Sequence, residues 1–415
     1  MMALKTSFKE DRMNLKRIFL ILGFLGTASV SSFASTLVVG KSQASCPNAR
    51  YSTITAAVNS AAPGDVIAIC PALYAEQLVI TKPLTLRGLA VHDVNRTVIQ
   101  PQSLQPLESL PVEAVITVMN TQDVQIENLA IDASNNTVSG CTPGLAAIHY
   151  FNASGEIEND AIFGAQPKDP LSCAEIAPGN GFGVLIDSSE SGPFHVSVKY
   201  NSIHDYTKDG VYATNAGVTA SVEGNFISGV GPTGGIPFQF AVFILDGAAG
   251  VIRNNVITEG QCGTLSAADC VNARSEGVTL RAVASGAIVE HNVITNVQSG
   301  IFVNEADHAT ISDNIITNVQ QLDGIDLQGV SNTLLNGNII ANATPTEGCG
   351  IAEAPGPGQA GGVEGNNVIS ETRVNDAFCG VAYAPTSHVA SGMYFNTLFT
   401  QFRSDIGPPS PPPGE

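Results

Sequence analysis

Apolar positions along most of this chain fall into short segments rather than helical stripes. One segment recurs, an apolar-x-x-Asn-x-apolar unit best seen in VEGNFI, VEHNVI and ISDNII. Its asparagines are Asn128, Asn159, Asn201, Asn225, Asn255, Asn292, Asn314, Asn338, Asn367 and Asn396, with neighbours 22 to 42 residues apart. A floor just above roughly 20 residues is what one coil of a three-sided solenoid needs, and longer spacings mark insertions. Between the asparagines runs a second unit: GVLID from Gly183, GVYAT from Gly210, GVTLR from Gly277, GIFVN from Gly300, GIDLQ from Gly324, GIAEA from Gly350 and GVAYA from Gly380. Ala241 takes the glycine's place in AVFIL. Apolar residues occupy mostly the first and third places after the glycine, so strand alternation points them inward and turns the second and fourth places outward. The asparagines are expected at the turns, where a short amide tolerates the left-handed conformation and bonds its copies in adjacent coils. They therefore read as an internal structural ladder.

A solenoid exposes core and strand edges at its ends and needs caps. Tyr51 to Ala62 predicts an amphipathic capping helix (51–62), with Ile54, Ala57, Val58 and Ala61 on one stripe and Pro63-Gly64 ending it. Ahead of it, Lys16 and Arg17 precede an apolar run from Ile18 to Val30, and Ser32-Phe33-Ala34 offers small residues at a cleavage site. The expected organisation is an export signal over 1–34, a solenoid domain over 35–406 and a proline-rich flexible tail over 407–415. The apolar run is shorter than the roughly 20 residues of a spanning helix, and nothing later approaches that length. No membrane span is expected, and the localisation expected is secreted or periplasmic.

The formal net charge is −19, and removing the five basic and two acidic residues of 1–34 takes it to −22. Such a surface disfavours nucleic acid and anionic membranes. It leaves room for a divalent cation such as calcium, although no ligand set can be named. All eight cysteines lie beyond the signal, without a CxxC pair, so disulfides are expected in place of a zinc or thiol redox centre. Cys349 and Cys379 each precede the glycine of consecutive coils and are expected to bond across strands about 4.8 Å apart. Cys46 and Cys70 flank the capping helix and its following strand. Cys141 with Cys173, and Cys262 with Cys270, fall at turns on the same edge, and each pair is expected to be joined.

The stretch from Tyr51 to Gly88 resembles the opening segment of the pectin-lyase-like superfamily. A short helix is followed by PGDVI, then Pro71-Ala72-Leu73-Tyr74-Ala75-Glu76, then ITKPLTLRG. With the later repeats the resemblance covers roughly residues 51–400 and is nearest to the carbohydrate-binding and sugar-hydrolase repeat group. It implies an all-β fold, a right-handed parallel β-helix of about ten or more coils, with a polysaccharide groove on the sheet of glycine-led strands. The catalytic signatures of pectin methylesterases and polygalacturonases are absent apart from Leu322-Asp323-Gly324-Ile325-Asp326, which is similar to one of them.

Two outward columns follow from the strand register. One reads Leu185, Tyr212, Phe243, Thr279, Phe302, Asp326, Ala352, Ala382; the other reads Asp187, Thr214, Leu245, Arg281, Asn304, Gln328, Ala354, Ala384. Aromatic rings suit sugar stacking, and the polar groups suit hydroxyls or a carboxylate. The expected substrate-binding residues are Asp187, Tyr212, Phe243, Phe302, Asn304 and Gln328, with Arg281 as an anchor for a sugar carboxylate and Asp326 as an acid–base or metal-binding group. Asp326 and Arg281 are the catalytic candidates, two coils and about 10 Å apart. Asp209, Glu276 and Asp323, just before their glycines, are read as solvated turn carboxylates. The seven histidines share no column and are read as surface or turn residues. The expected function is an exported, monomeric protein that binds or processes a polysaccharide, a polyuronate being the specific candidate. The alternative is a non-catalytic structural or adhesion solenoid; the sequence leaves catalysis open.

Overall fold

The computed structural model describes residues 34–90, 97–107, 110–168, 180–231, 239–261, 275–284, 286–320, 322–343, 349–354, 368–370, 373–375, 379–383 and 398–400. The remainder of the expected export segment, the proline-rich tail, Asn367, Asn396, Cys173, Cys262 and Cys270 lie outside them. The chain winds through three parallel sheets of 12, 11 and 12 strands, and each coil adds one strand to each sheet. In one coil these are Asp209–Thr214, Val218–Glu223 and Phe226–Ser228. The 11-stranded sheet holds the glycine-led strands. The other two lie before and after the asparagine turn, and the architecture is the expected right-handed parallel β-helix.

Stacking in register makes the core. Val184, Val211, Val242, Val278, Ile301, Ile325 and Ile351 pair in sequence across adjacent strands and are fully buried. Each such side chain contributes roughly 1.5–3 kcal/mol by leaving water. The glycine column has a steric cause. A Cβ on Gly183 would lie 2.6 Å from the Gly210 carbonyl oxygen and 2.7 Å from Ile203 Cγ2, and one on Gly277 would meet Gly300 and Ile294 in the same way. The backbone of the next coil and the isoleucine floor leave no room there.

The asparagine ladder exists, with two corrections. Asn201, Asn225, Asn255, Asn292, Asn314 and Asn338 are buried, and each Oδ1 from Asn225 onward accepts the backbone N–H and the Nδ2 of the preceding rung at 2.9–3.1 Å. The left-handed residue is the one before the rung, as at Tyr200, Asn254, His291 and Asp313. Asn128 and Asn159 are themselves such left-handed residues, not rungs. Asp160 is the rung of its coil: its N–H donates to Asn201 Oδ1 at 2.9 Å and its Oδ1 accepts from Leu129 N–H at 2.7 Å. Burial pushes its carboxyl well above the usual carboxylate range.

At the N-terminal end the helix is shorter than expected, Ile54–Ser60, with Thr53 as N-cap. Ile54, Ala57 and Val58 face the core. Glu76 explains the Pro-x-x-Tyr-x-Glu stretch, because its carboxylate accepts the N–H groups of Ile54 and Thr55 at 2.9 and 2.8 Å. Asp65 of PGDVI accepts from Ser35 and Ala62 N–H at 2.8 Å each, and these bonds, Ser35 first, hold its carboxyl below the usual range. Cys46 and Cys70 are joined in a disulfide. Cys349 and Cys379 are register partners and Cys349 is disulfide-bonded, as is Cys141.

Candidate functional site

The outer face of the glycine-led sheet carries the densest chemistry, and the register assembles both expected columns. Leu185, Tyr212, Phe243, Thr279, Phe302, Asp326 and Ala352 pair in order, as do Thr214, Leu245, Arg281, Asn304, Gln328 and Ala354. The alternation slips by one residue at the glycine. Phe182 therefore shares the outer apolar cluster with Leu185 and Tyr212 instead of facing the core. That slip creates a third outward column, Phe182, Asp209, Phe240, Glu276 and Ser299.

Four rings from the first and third columns pack together. Phe182 lies 5.2 Å from Tyr212, Tyr212 meets Phe243 edge-on at 5.6 Å, and Phe243 meets Phe240 at 4.9 Å. Such contacts hold the rings at fixed angles. Tyr212 is buried and Phe243 half-buried, so the rim of this wall reaches solvent through Phe243. Burial also pushes the Tyr212 hydroxyl up, with smaller contributions from Asp209, Asp246 and Asp187.

The candidate site residues separate by exposure. Arg281 is exposed, Asp187, Phe302 and Gln328 are half-buried, and Asn304 and Asp326 are buried. Asp326 and Arg281 are not assembled as a pair: they stand in different columns two strands apart, and Gln328 Nε2 donates to Asp326 Oδ2 at 3.1 Å. Asn304 Nδ2 donates to the Gln328 carbonyl at 3.4 Å.

Asp209, Glu276 and Asp323 are not solvated turn carboxylates; all three are buried. Asp323 Oδ1 accepts the Cys349 N–H at 2.6 Å, and the Thr279 hydroxyl donates to Glu276. Among the described residues neither Asp209 carboxyl oxygen has a hydrogen-bond donor, and burial pushes that carboxyl up against the pull of Lys208. The Lys208 ammonium sits 4.8 Å from the centre of the Phe240 ring, where burial lowers its pKa and Asp209 and Glu276 raise it. The third column was hidden because Asp209 and Glu276 read as turn residues ahead of their strands, whereas they are the first residues of those strands.

His149 is also no surface residue. It pairs with Thr117 and Leu185 in the first column, is buried, and its Nε2 lies 2.7 Å from Asp187 Oδ1. The signal was present in Leu145 to Phe151, where Ile148 and Tyr150 alternate inward with His149 and Phe151 outward. Ala147 stands there in the glycine's place, as Ala241 does further on. Among the described residues no cluster of three or more His, Cys, Asp or Glu side chains is arranged to hold a metal.

Coils stacked this way, with one chemically furnished face, define a solenoid class of protein. The chain belongs to the right-handed β-helix family, whose "right handed beta helix region" matches residues 182–397, more than half of the chain. No curated protein matches it in sequence. Among solved structures, the A-module of the Azotobacter vinelandii mannuronan C-5 epimerase AlgE4 is similar with a TM-score of 0.58 at 14% identity, covering 85% of this chain and 92% of that one. A mannuronic acid specific polysaccharide family 6 lyase enzyme from human gut microbiota gives 0.49 at 14% identity, covering 84% and 86%. The likeness to the epimerase module is one of fold.

Proposed function

We propose that the outer face of the glycine-led sheet binds a polysaccharide chain in an exported protein. The observation that carries this reading is Phe243, which reaches solvent beside a polar row on one sheet face and is held in place by the buried rings of Tyr212 and Phe240. Aromatic faces cover the apolar sides of sugar rings while side-chain carboxylates, amides and a guanidinium take the hydroxyls. The neighbouring fold of an enzyme named for mannuronan supports a carbohydrate partner. Export is supported by the basic-apolar-small pattern of residues 1–34 and by the Cys46–Cys70 disulfide, a bond that persists in oxidising compartments.

The test is a binding and depolymerisation screen of the full chain on a polysaccharide panel, with and without calcium. Saturable binding to at least one glycan, weakened by Phe243→Ala, is expected. A chain that binds none of them at millimolar sugar is a structural rod instead.

A further inference from the structure

The charges reachable on this face are mainly acidic. Asp187 is half-buried, with one carboxylate oxygen held by His149 and the side chain still reaching solvent. His149 Nε2 lies 2.7 Å from that oxygen, and among the described residues its buried Nδ1 has no partner, which leaves the second Asp187 oxygen to face solvent. On the adjacent parallel strand the buried Tyr212 pairs with Leu185, two residues before Asp187, and the aromatic wall continues from there. Along the edge, the exposed Asp246 and Glu305 directly follow Leu245 and Asn304, the residues on either side of Arg281. Arg281 is the one exposed cation of the two columns among the described residues. A polyanion approaching here meets three carboxylates for one guanidinium, on a chain of net charge −19.

We propose that this face takes an amino-sugar polymer, with Asp187 receiving a sugar ammonium beside the aromatic wall. This rests on the polysaccharide reading above and reverses the polyuronate expectation. A carboxylate recognises an ammonium through a charge-assisted hydrogen bond, and Phe243, the ring of the wall that reaches solvent, stands two strands along for a neighbouring sugar ring. Asp246 and Glu305 extend the same preference along the edge, and Arg281 is left to bind hydroxyl oxygens.

The experiment is calorimetric titration of the full chain in mildly acidic buffer with glucosamine oligomers, their N-acetylated counterparts of equal length, and oligouronates with and without calcium. The glucosamine oligomer is expected to bind roughly tenfold or more tightly than either of the others, with the preference shrinking as salt rises. Asp187→Asn should remove roughly tenfold from the glucosamine oligomer and cost the acetylated one clearly less. The double variant Asp246→Asn, Glu305→Gln, which leaves His149 and Asp187 intact, should lower the same preference with no change in fold. Oligouronates that bind as tightly or more tightly, with or without calcium, overturn the amino-sugar assignment but leave the polysaccharide reading standing. So does an Asp187→Asn chain that loses both oligomers equally. Binding of no glycan at all removes both.

Discussion

Single residues carry the end-effects of the ladder. Asp160 stands where the following coils have asparagine, and among the described residues its buried Oδ2 has no partner, where an amide would offer a donor. Burial raises its folded pKa, so the folded carboxyl gives up its proton at a higher pH than the unfolded chain does. The stability tied to that proton is complete below the unfolded pKa and is lost as pH rises through the raised folded pKa. Asp160→Asn is therefore expected to raise the melting temperature at neutral pH, with a gain that grows from acid toward neutral. Thermal scans showing a gain independent of pH, or a loss at neutral pH, would contradict this account of the rung. At the cap, Glu76→Ala should destabilise by about 1 kcal/mol, the usual cost of losing a helix N-cap acceptor, measured by denaturant titration. An unchanged midpoint would mean that Thr53 suffices alone.

At the scale of elements, what could be read from the chain is whatever recurs in every coil for the same steric or hydrogen-bonding reason. The glycine column repeats because a Cβ is excluded at Gly183 and again at Gly277, so strand register was legible without a structure. Asn201 to Asn338 repeat because each rung satisfies the one before it. The slip of alternation at the glycine has no sequence mark of its own, which is why Phe182, Asp209, Phe240 and Glu276 were not seen as one outward column. Burial of Tyr212, Asn304 and Asp326 was equally invisible, because an outward position in a strand does not by itself fix exposure. The N-terminal elements lead to a separate expectation. The Cys46–Cys70 bond, 24 residues apart in sequence, stabilises by roughly 3 kcal/mol in the loop-entropy description. Cys46→Ser is expected to make the first coils protease-sensitive while the coils of Asn201 to Asn338 stay protected in hydrogen exchange. Equal protease resistance at the N-terminus would show that helix and strand hold without the bond.

For the whole molecule, three sheets give three outer faces, and only their furnishings distinguish them. The face before the asparagine turn carries alternating charges, with Arg87 paired to Glu127 at 2.6 Å and Arg253 to Glu223 at 2.9 Å. Surface pairs of this kind contribute little individually, of the order of 0–1 kcal/mol, and keep that face solvated. The face after the turn has an exposed row of Phe226, Val256, Val293, Ile315 and Ile339 in register. Among the described residues, the glycine-led face combines an aromatic wall with acidic and amide groups. Its claim to be the carbohydrate site is best tested by one comparison of affinities for whichever glycan the wild-type chain binds. Phe243→Ala, on the glycine-led face, is expected to weaken binding by about tenfold or more, in line with the roughly 1–3 kcal/mol lost when a large apolar contact is removed. Phe226→Ala, an exposed ring on a different sheet, is expected to leave the dissociation constant unchanged. The opposite pattern, with Phe226 required and Phe243 dispensable, would move the site to the other sheet and contradict the account.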